Sequence, residues 1–251
     1  MAAEATLLEL INSAATLDTN VYFNLFSIYI NLGEHRMAMD AISKVDAGPL
    51  SDGINILLDA LQEDDIKVLV AACETLADQD GSPTQWKMLG VQAKYLTGDF
   101  ADSRRRLENL YPALFTEDPE VSLQTTYAAT LAAAALIKLG ETEQADRLLQ
   151  RVQAVYQSSW PEYQTAGVHY RLAEIMAIKG DLDEAMRHLD AAYEKGFRLV
   201  WTDFVYPMEQ DPYFGDLLND ERFVALVKKI RNYNEKARAE IVAAHAQKDQ
   251  T

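Results

Sequence analysis

Histidine and cysteine side chains are the first candidates for chemistry in this sequence, because they bind metals and serve as acid–base groups or nucleophiles. The four histidines, His35, His169, His188 and His245, form neither HExxH nor another spacing that is typical of metal ligands. Cys73 is the one cysteine, and it falls within the apolar stripe of a predicted helix. We therefore expect no metal centre, no internal disulfide and an inert core thiol.

Other motifs that could support catalysis or ion binding are incomplete. Asp78-x-Asp80-Gly81 resembles the start of a calcium loop, but the third acidic ligand and the later glutamate are missing at the needed spacing. The sequence has no GxSxG elbow and no glycine loop suited to phosphate. We expect a protein without enzymatic activity and without a cofactor; an enzyme with an unrecognised site is the remote alternative.

The charge balance restricts the class of partner. Lys and Arg number 23 against 39 Asp and Glu, so the formal charge is −16. A field of this sign repels nucleic acids and anionic lipids, whereas it accommodates a neutral or basic protein or peptide. Solubility alone is the alternative explanation of the acidity. The 17-residue charge-free stretch 121–137 is rich in Ala and Thr, which predicts no membrane insertion.

Helical periodicity that recurs in pairs is the main structural signal. Near residue 180, Leu182, Ala185, Met186 and Leu189 share one helix face and follow a turn at Gly180. Comparable turns are centred near residues 33, 64, 98 and 140, and the turn near 64 has no glycine. Only 11 glycines and 7 prolines occur, as helices require.

These pairs predict five helical hairpins, at about 19–46, 52–78, 83–112, 121–157 and 162–196. No hairpin of this length buries its apolar stripe alone, so neighbouring hairpins must stack on one another. The sequence therefore predicts an all-α fold, an α-solenoid that occupies residues 1–210. Residues 211–251 are predicted to form capping helices and a polar tail.

Two of the hairpins carry a recognisable pattern of small and apolar residues. The pattern comprises Trp86-x2-Leu89-Gly90-x2-Ala93 and Leu172-Ala173…Gly180-Asp181…Ala185…Leu189…Ala192. It resembles the tetratricopeptide repeat (TPR) over roughly residues 19–196. The resemblance implies a right-handed superhelix whose concave face, lined by the first helix of each hairpin, binds proteins or peptides. Two of the turn spacings exceed the usual 34 residues, so the superhelix is expected to be irregular.

The two ends depart from the repeat. Residues 3–15 predict a short helix, either a cap or the second helix of a repeat whose partner lies upstream in a longer protein. At the other end, Asp211-Pro212 begins a short helix after a non-helical connector, and Asp220 can cap a last helix. This ending resembles the closure of TPR regions in bacterial signalling and transcription-regulatory proteins, which implies a sensory or docking module.

The last helix is basic, although the chain is acidic. It holds Lys228, Lys229, Arg231, Lys236 and Arg238. One hypothesis is contact with an acidic surface, either on this solenoid or on a partner. The alternative is a solvated tail whose cations stabilise a helix C-terminus.

The candidate peptide-binding groove consists of residues beside the buried stripes of the first helices. They are Phe23, Ser27, Asn31, Lys87, Val91, Lys94, Tyr95, Tyr127, Thr130, Lys138, Tyr170 and Glu174. Aromatic residues in such a groove anchor extended or helical peptides. The alternative for each aromatic residue is packing against the next hairpin.

The function predicted from these features is non-catalytic protein or peptide binding, as the sensory or docking part of a bacterial regulatory protein. Structural self-association as a homo-oligomer is the alternative. We expect a soluble chain, cytoplasmic, or periplasmic if the full-length protein has an upstream membrane span.

Overall fold

A computed structural model describes residues 19–45, 49–63, 65–158, 165–198, 201–202 and 206–248. The helix predicted at 3–15 lies outside the described residues. The described chain is mainly α-helical, which confirms the predicted all-α class. None of the described helices is both long and apolar enough to cross a lipid bilayer.

Ten α-helices follow one another among the described residues between 19 and 194, and a 3-10 helix (Pro112–Phe115) lies between the sixth and the seventh. They are α1 (Thr19–Asn31), α2 (His35–Ser43), α3 (Pro49–Gln62), α4 (Ile66–Ala77), α5 (Thr84–Leu96), α6 (Phe100–Leu110), α7 (Thr126–Lys138), α8 (Thr142–Ser158), α9 (Ala166–Ile178) and α10 (Leu182–Glu194). Helices that are consecutive in the chain pack against each other throughout this series. We call α1, α3, α5, α7 and α9 the first helices, because each begins one of the five predicted hairpins.

Glycine ends the first helix in four of these hairpins, as the sequence predicts. Gly33, Gly98, Gly140 and Gly180 have φ between 73° and 81°, a left-handed conformation that other residues adopt only at a cost. The amide of the residue after each glycine donates to a carbonyl five positions back, for example Asp181 N to Met176 O at 2.9 Å. The chain therefore reverses within a few residues, and the second helix packs along the first.

The second hairpin turns without glycine. Helix α3 ends at Gln62. Asp65 then caps α4, because its carboxylate accepts a hydrogen bond from the Lys67 amide at 2.9 Å. An acidic cap at the positive end of a helix here replaces the glycine of the other turns.

The chain beyond α10 forms a cap. Two short antiparallel strands, β1 (Trp201–Thr202) and β2 (Tyr206–Pro207), precede 3-10 helices at Met208–Gln210 and Pro212–Leu217. Asp220 precedes helix α11 (Glu221–Lys248) and caps it, because its carboxylate accepts a hydrogen bond from the Arg222 amide at 2.8 Å. The predicted proline start and aspartate cap are both confirmed.

Buried side chains form two hydrophobic clusters. The larger runs from Met88 to Ile230 and includes the cap, whereas the smaller runs from Leu25 to Ala93. Ile241, from the far part of α11, also belongs to the smaller cluster. The last helix thus contributes to the cores of both ends of the hairpin series.

Candidate functional site

The predicted groove residues differ widely in exposure. Val91, Tyr95, Thr130, Tyr170 and Glu174 are buried, with 0–5 % of their surface exposed. Ser27, Asn31, Lys94 and Tyr127 are partly buried, Lys87 and Lys138 are exposed, and the side chain of Phe23 lies outside the described residues. The predicted set is therefore divided between the packed interior and the surface.

The buried aromatic members are covered by residues 211–217, which we call the cap segment. The ring of Tyr213 lies 5.9 Å from that of Tyr95, and Phe214 meets Tyr170 edge-on at 5.7 Å. The Tyr170 hydroxyl donates to Asp211 Oδ2 at 2.8 Å, while Asp211 Oδ1 accepts from the Tyr213 amide at 2.9 Å. Burial raises the pKa of both Tyr170 and Tyr213 well above the usual tyrosine range, which keeps their hydroxyls protonated donors.

A partly buried cation lies beside this contact. Arg171 pairs with Glu174 at 2.8 Å and lies over the rings of Tyr127 and Tyr170, at 5.2 and 5.7 Å from their centroids. The charge of Glu174 is thus balanced inside the molecule, as buried carboxylates require. The alternative for the aromatic residues is packing against the next hairpin; Tyr95 and Tyr170 are instead packed against the cap segment.

Three polar residues of the predicted groove, Lys94, Thr130 and Asn31, contact residues of their own helix or of a neighbouring helix. Lys94 pairs with Glu74 on α4 at 2.6 Å, which raises the pKa of the lysine. The Thr130 hydroxyl donates to the Thr126 carbonyl at 2.9 Å, and Asn31 Nδ2 donates to the Ser27 carbonyl at 3.0 Å. Lys138 lines a small cleft of about 130 Å³ beside the cap segment.

A larger cavity of about 260 Å³ lies between the first helices of hairpins one to three. We call it the Trp86 cavity. Its lining residues are Phe26, Ser27, Ile30, Ile54, Leu57, Leu58, Leu61, Gln85, Trp86 and Leu89. Among the predicted groove residues whose side chains are described, Ser27 alone lines this cavity. Most of the other lining side chains are apolar.

Trp86 is held against the backbone of α3. A Cβ atom at position 53 would lie 2.5 Å from Trp86 Cζ2, so Gly53 is what makes room for the indole. The ring is 6 % exposed, and no described group accepts a hydrogen bond from its buried Nε1. Glycine within α3, beside an Ile and Leu stripe, is the sequence signal that points to this close approach.

The histidine and cysteine candidates have structural positions. His169 and His188 lie with their Nδ1 atoms 3.0 Å apart, and burial lowers the pKa of both, assisted by the positive charge of Arg187. Burial raises the pKa of Cys73 to about 12, so this thiol is protonated at neutral pH. Asp78 pairs with Arg106 at 2.9 Å. Within the described ranges, no group of three His, Cys, Asp or Glu is placed to hold a metal ion.

The basic residues of α11 meet acidic residues of the same chain. Arg231 pairs with Glu209 at 2.6 Å, and Arg238 reaches Glu34, at the turn of the first hairpin, at 2.5 Å. Arg238 thus contacts one glutamate of the hairpins, whereas Arg231 pairs within the cap. Helix α11 thereby joins the cap to the first hairpin.

Comparisons with protein-family models, with curated proteins and with solved structures found no match for this chain.

Proposed function

We propose that the five hairpins form an irregular TPR-like α-solenoid and that the chain is a non-catalytic module for binding peptides. The binding surface is the first-helix side of hairpins one to three, around the Trp86 cavity. The helical pairs, the glycine turns and the consecutive packing support the architecture.

One observation carries the proposal: two first helices, α5 and α9, pack against a short segment of this chain, the cap segment. Tyr213 and Phe214 are its anchors, and they contact Tyr95 on α5 and Tyr170 on α9. Short helical segments with aromatic anchors are a common form of peptide ligand. The first helices of hairpins one to three border an apolar recess that offers room for such an anchor.

Charge supports a neutral or basic peptide. Helix α3, central to the cavity, carries Asp52 and Asp59, is followed by Glu63 and Asp65, and contains no Lys or Arg. The chain as a whole has a charge of −16. An acidic peptide would therefore be repelled during approach. By the resemblance of the C-terminal ending, we place this module in a bacterial regulatory or signalling protein.

Selection from a display library of random peptides, followed by titration of the synthetic peptides, tests the proposal. We expect the selected peptides to share an aromatic or aliphatic anchor and to lack net negative charge. Leu57→Gln should weaken their affinity at least about tenfold, because it places an amide in the apolar recess. Ile56→Gln is the matched control, since Ile56 on the same helix is 38 % exposed and does not line the cavity. Selection of no such peptide, or equal effects of both variants, contradicts peptide binding here.

Self-association is the second candidate, and an exposed apolar patch on the cap favours it. Val224 is 53 % and Leu218 is 42 % exposed, beside an open cleft that Lys228 and Arg231 also line. Light scattering over a range of concentrations should then show a mass above that of one chain, and Val224→Lys should restore the monomer. A constant monomer mass in the unsubstituted chain excludes this candidate.

A further inference from the structure

We propose that His169 and His188 form a pH-sensitive switch between the two helices of hairpin five, α9 and α10, and that it responds in two steps as protons are added. The first proton exchanges the partner of His188 from Arg187 to Glu184, and the second breaks the bond between the two histidines. This inference goes beyond peptide binding and does not depend on it, because it concerns contacts within one hairpin.

Hydrogen bonds fix which ring nitrogens carry protons in the neutral pair. Arg187 Nη2 lies 3.3 Å from His188 Nε2, and a guanidinium only donates, so His188 Nε2 accepts. A neutral imidazole carries one ring proton, which is then on Nδ1 of His188, 3.0 Å from Nδ1 of His169. His169 Nδ1 is therefore the acceptor, and its own proton is on Nε2. The ring planes differ by 40°, so the contact is a hydrogen bond rather than a stack.

The pair is buried, but its His188 end reaches the protein surface. His169 and His188 are only 6 % and 7 % exposed. The side chain of Arg187 is 60 % exposed and that of Glu184 is 35 % exposed. Glu184 Oε1 lies 3.6 Å from His188 Nε2. This nitrogen thus has a donor and an acceptor of opposite charge beside it, where a proton from solvent can arrive.

The number of ring protons determines the first step. The two rings together have four nitrogen atoms, and after one proton is added only one of them lacks a hydrogen. If the bond between the rings is kept, that nitrogen must be the acceptor of this bond. His188 Nε2 is then protonated, whichever ring holds the shared proton. It no longer accepts from Arg187, but it donates to Glu184, and the bond between α9 and α10 remains.

The second proton breaks this bond, because both Nδ1 atoms then carry hydrogen and no acceptor lies between them. Two positive rings also repel each other, with their centroids 5.3 Å apart. The charged groups that shift the pKa of either ring are Lys195, Arg187, Glu184 and the other histidine of the pair. None of these belongs to α8, the cap or α11, the other elements that pack on this hairpin. Of these groups only Glu184 favours the protonated rings, so we expect α9 and α10 to loosen.

The switch lies next to the contact that holds the cap segment. Tyr170 follows His169 in α9, and its ring stacks on that of Phe197, just after α10, with the centroids 4.5 Å apart. The hydroxyl of Tyr170 donates to Asp211 in the cap segment at 2.8 Å. A local separation of α9 from α10 would therefore disturb the cap segment through Tyr170.

NMR of the histidine ring nitrogens in the full chain, between about pH 8 and about pH 4.5, tests the two steps. At the upper end we expect the proton of His188 on Nδ1 and that of His169 on Nε2. Two separate titration steps should follow, both below the usual histidine value of about 6.5. A proton on His188 Nε2 at the upper end, or a single step at about pH 6.5, overturns the proposal.

Two substitutions should move the first step in opposite directions. Arg187→Gln removes the competing donor and its positive charge, so the step should move up by about one pH unit. Glu184→Gln removes the charge that stabilises the protonated ring, so the step should move down by about one pH unit. Asp190→Asn, at an exposed carboxylate of the same helix, is the matched control and should shift it far less. Shifts of the same sign in the first two variants, or an equal shift in the control, overturn the proposal.

Amide hydrogen exchange, corrected for its intrinsic pH dependence, tests the loosening. Below the second step, protection in α9 and α10 should fall about tenfold more than protection in α7, which contains no His, Asp or Glu. His169→Gln retains an acceptor for His188 Nδ1–H but removes one titrating ring, so this excess should disappear. Circular dichroism verifies that the variant is helical. An equal fall in all three helices, or an excess that persists in folded His169→Gln, overturns the proposal.

Discussion

What lies against the first helices differs between the two halves of the hairpin series. Towards the C-terminal half, the cap segment packs on α5 and α9, with Tyr213 and Phe214 against Tyr95 and Tyr170. In the N-terminal half, α1, α3 and α5 border the Trp86 cavity instead. The chain itself thus covers first helices in one half, whereas in the other half the described residues leave a cavity between them.

Side-chain size accounts for part of this difference. The buried face of α7 is made largely of alanine, namely Ala128, Ala129, Ala132, Ala133, Ala134 and Ala135. The corresponding helix of the second hairpin, α3, presents Leu57, Leu58 and Leu61. Helix axes approach according to the side chains between them, so alanine permits close packing and leucine holds helices apart. A cavity is therefore expected beside α3 rather than beside α7.

Helix α5 is the boundary between the two halves. Its residues Met88, Val91 and Tyr95 belong to the larger cluster, whereas Trp86 and Ala93 belong to the smaller one. One helix thus serves two cores with different faces. Substitutions in the larger cluster are expected to have the greater effect on global stability, because that cluster includes the cap.

The largest effect is expected from truncation of the cap anchor. Phe214 is fully buried and contacts the rings of Tyr170 and Phe223, each 5.7 Å away. Phe214→Ala should lower the free energy of unfolding by about 3–5 kcal/mol in urea titrations, because it leaves a cavity in the core. Leu218→Ala, at a position that is 42 % exposed, should cost about 1 kcal/mol or less. Similar losses in both variants would show that the cap segment is not anchored by Phe214.

A smaller effect is expected from the hydrogen bond that fixes the cap segment. Tyr170→Phe removes the hydroxyl that donates to Asp211, a carboxylate that is 1 % exposed. The loss should be about 2 kcal/mol, since hydrogen bonds to buried charged groups exceed neutral ones. Tyr111→Phe, at a partly buried tyrosine outside the cap contact, should change stability little. Equal stability of Tyr170→Phe and the unsubstituted chain would contradict the role of this bond.

The histidine pair predicts a loss of stability in mild acid, again within the C-terminal half. Burial and the positive charges of Lys195 and Arg187 lower the pKa of His169. Burial also lowers the pKa of His188, and the negative charge of Glu184 opposes this shift only in part. The pKa values of both histidines in the folded chain lie below the unfolded value of about 6.5. Their contribution to the free energy of unfolding is therefore complete above about pH 6.5, and it is lost as the pH falls toward the folded-state values. The slope approaches about 1.4 kcal/mol per pH unit for each proton excluded from the folded state.

Urea titrations between about pH 7 and about pH 5.5 measure this loss, for which we expect about 1 kcal/mol from the pair. His188→Gln should reduce the loss, because one titrating group is removed. His35→Gln, in the first hairpin, is the comparison variant; a loss that it reduces as much as His188→Gln does would not come from the pair. An unaltered slope in His188→Gln would assign the pH dependence to other groups.

Local signals in the sequence predict the helices and turns, because these depend on residues close together in the chain. Glycine at 140 and 180 and the cap at Asp220 are examples that the structure confirms. The destination of the cap segment was not predictable in this way. Its contacts join Asp211 to Tyr170 across 41 residues, and no local pattern specifies such a partner. The sequence predicts a groove position for Tyr170 and Glu174, but both lie in the interior. No local pattern shows that the distant cap segment packs over this part of α9.

The smallest effect is expected where the two halves are joined through α11. The Arg238–Glu34 pair links residues 204 apart in sequence, but the arginine side chain is 53 % exposed. Exposed ion pairs contribute about 0.2–1 kcal/mol, so Arg238→Gln should scarcely alter global unfolding. Its effect should instead appear as faster amide hydrogen exchange in α1 and α2, since Ile241 on the same helix packs into the N-terminal cluster.

Lys236→Gln, which removes an exposed pair within α11, should leave this exchange unchanged. The difference between the two variants should shrink in about 1 M salt, where the Debye length is about 3 Å. Identical exchange in Arg238→Gln and Lys236→Gln would mean that apolar contact alone holds the last helix against the first hairpin.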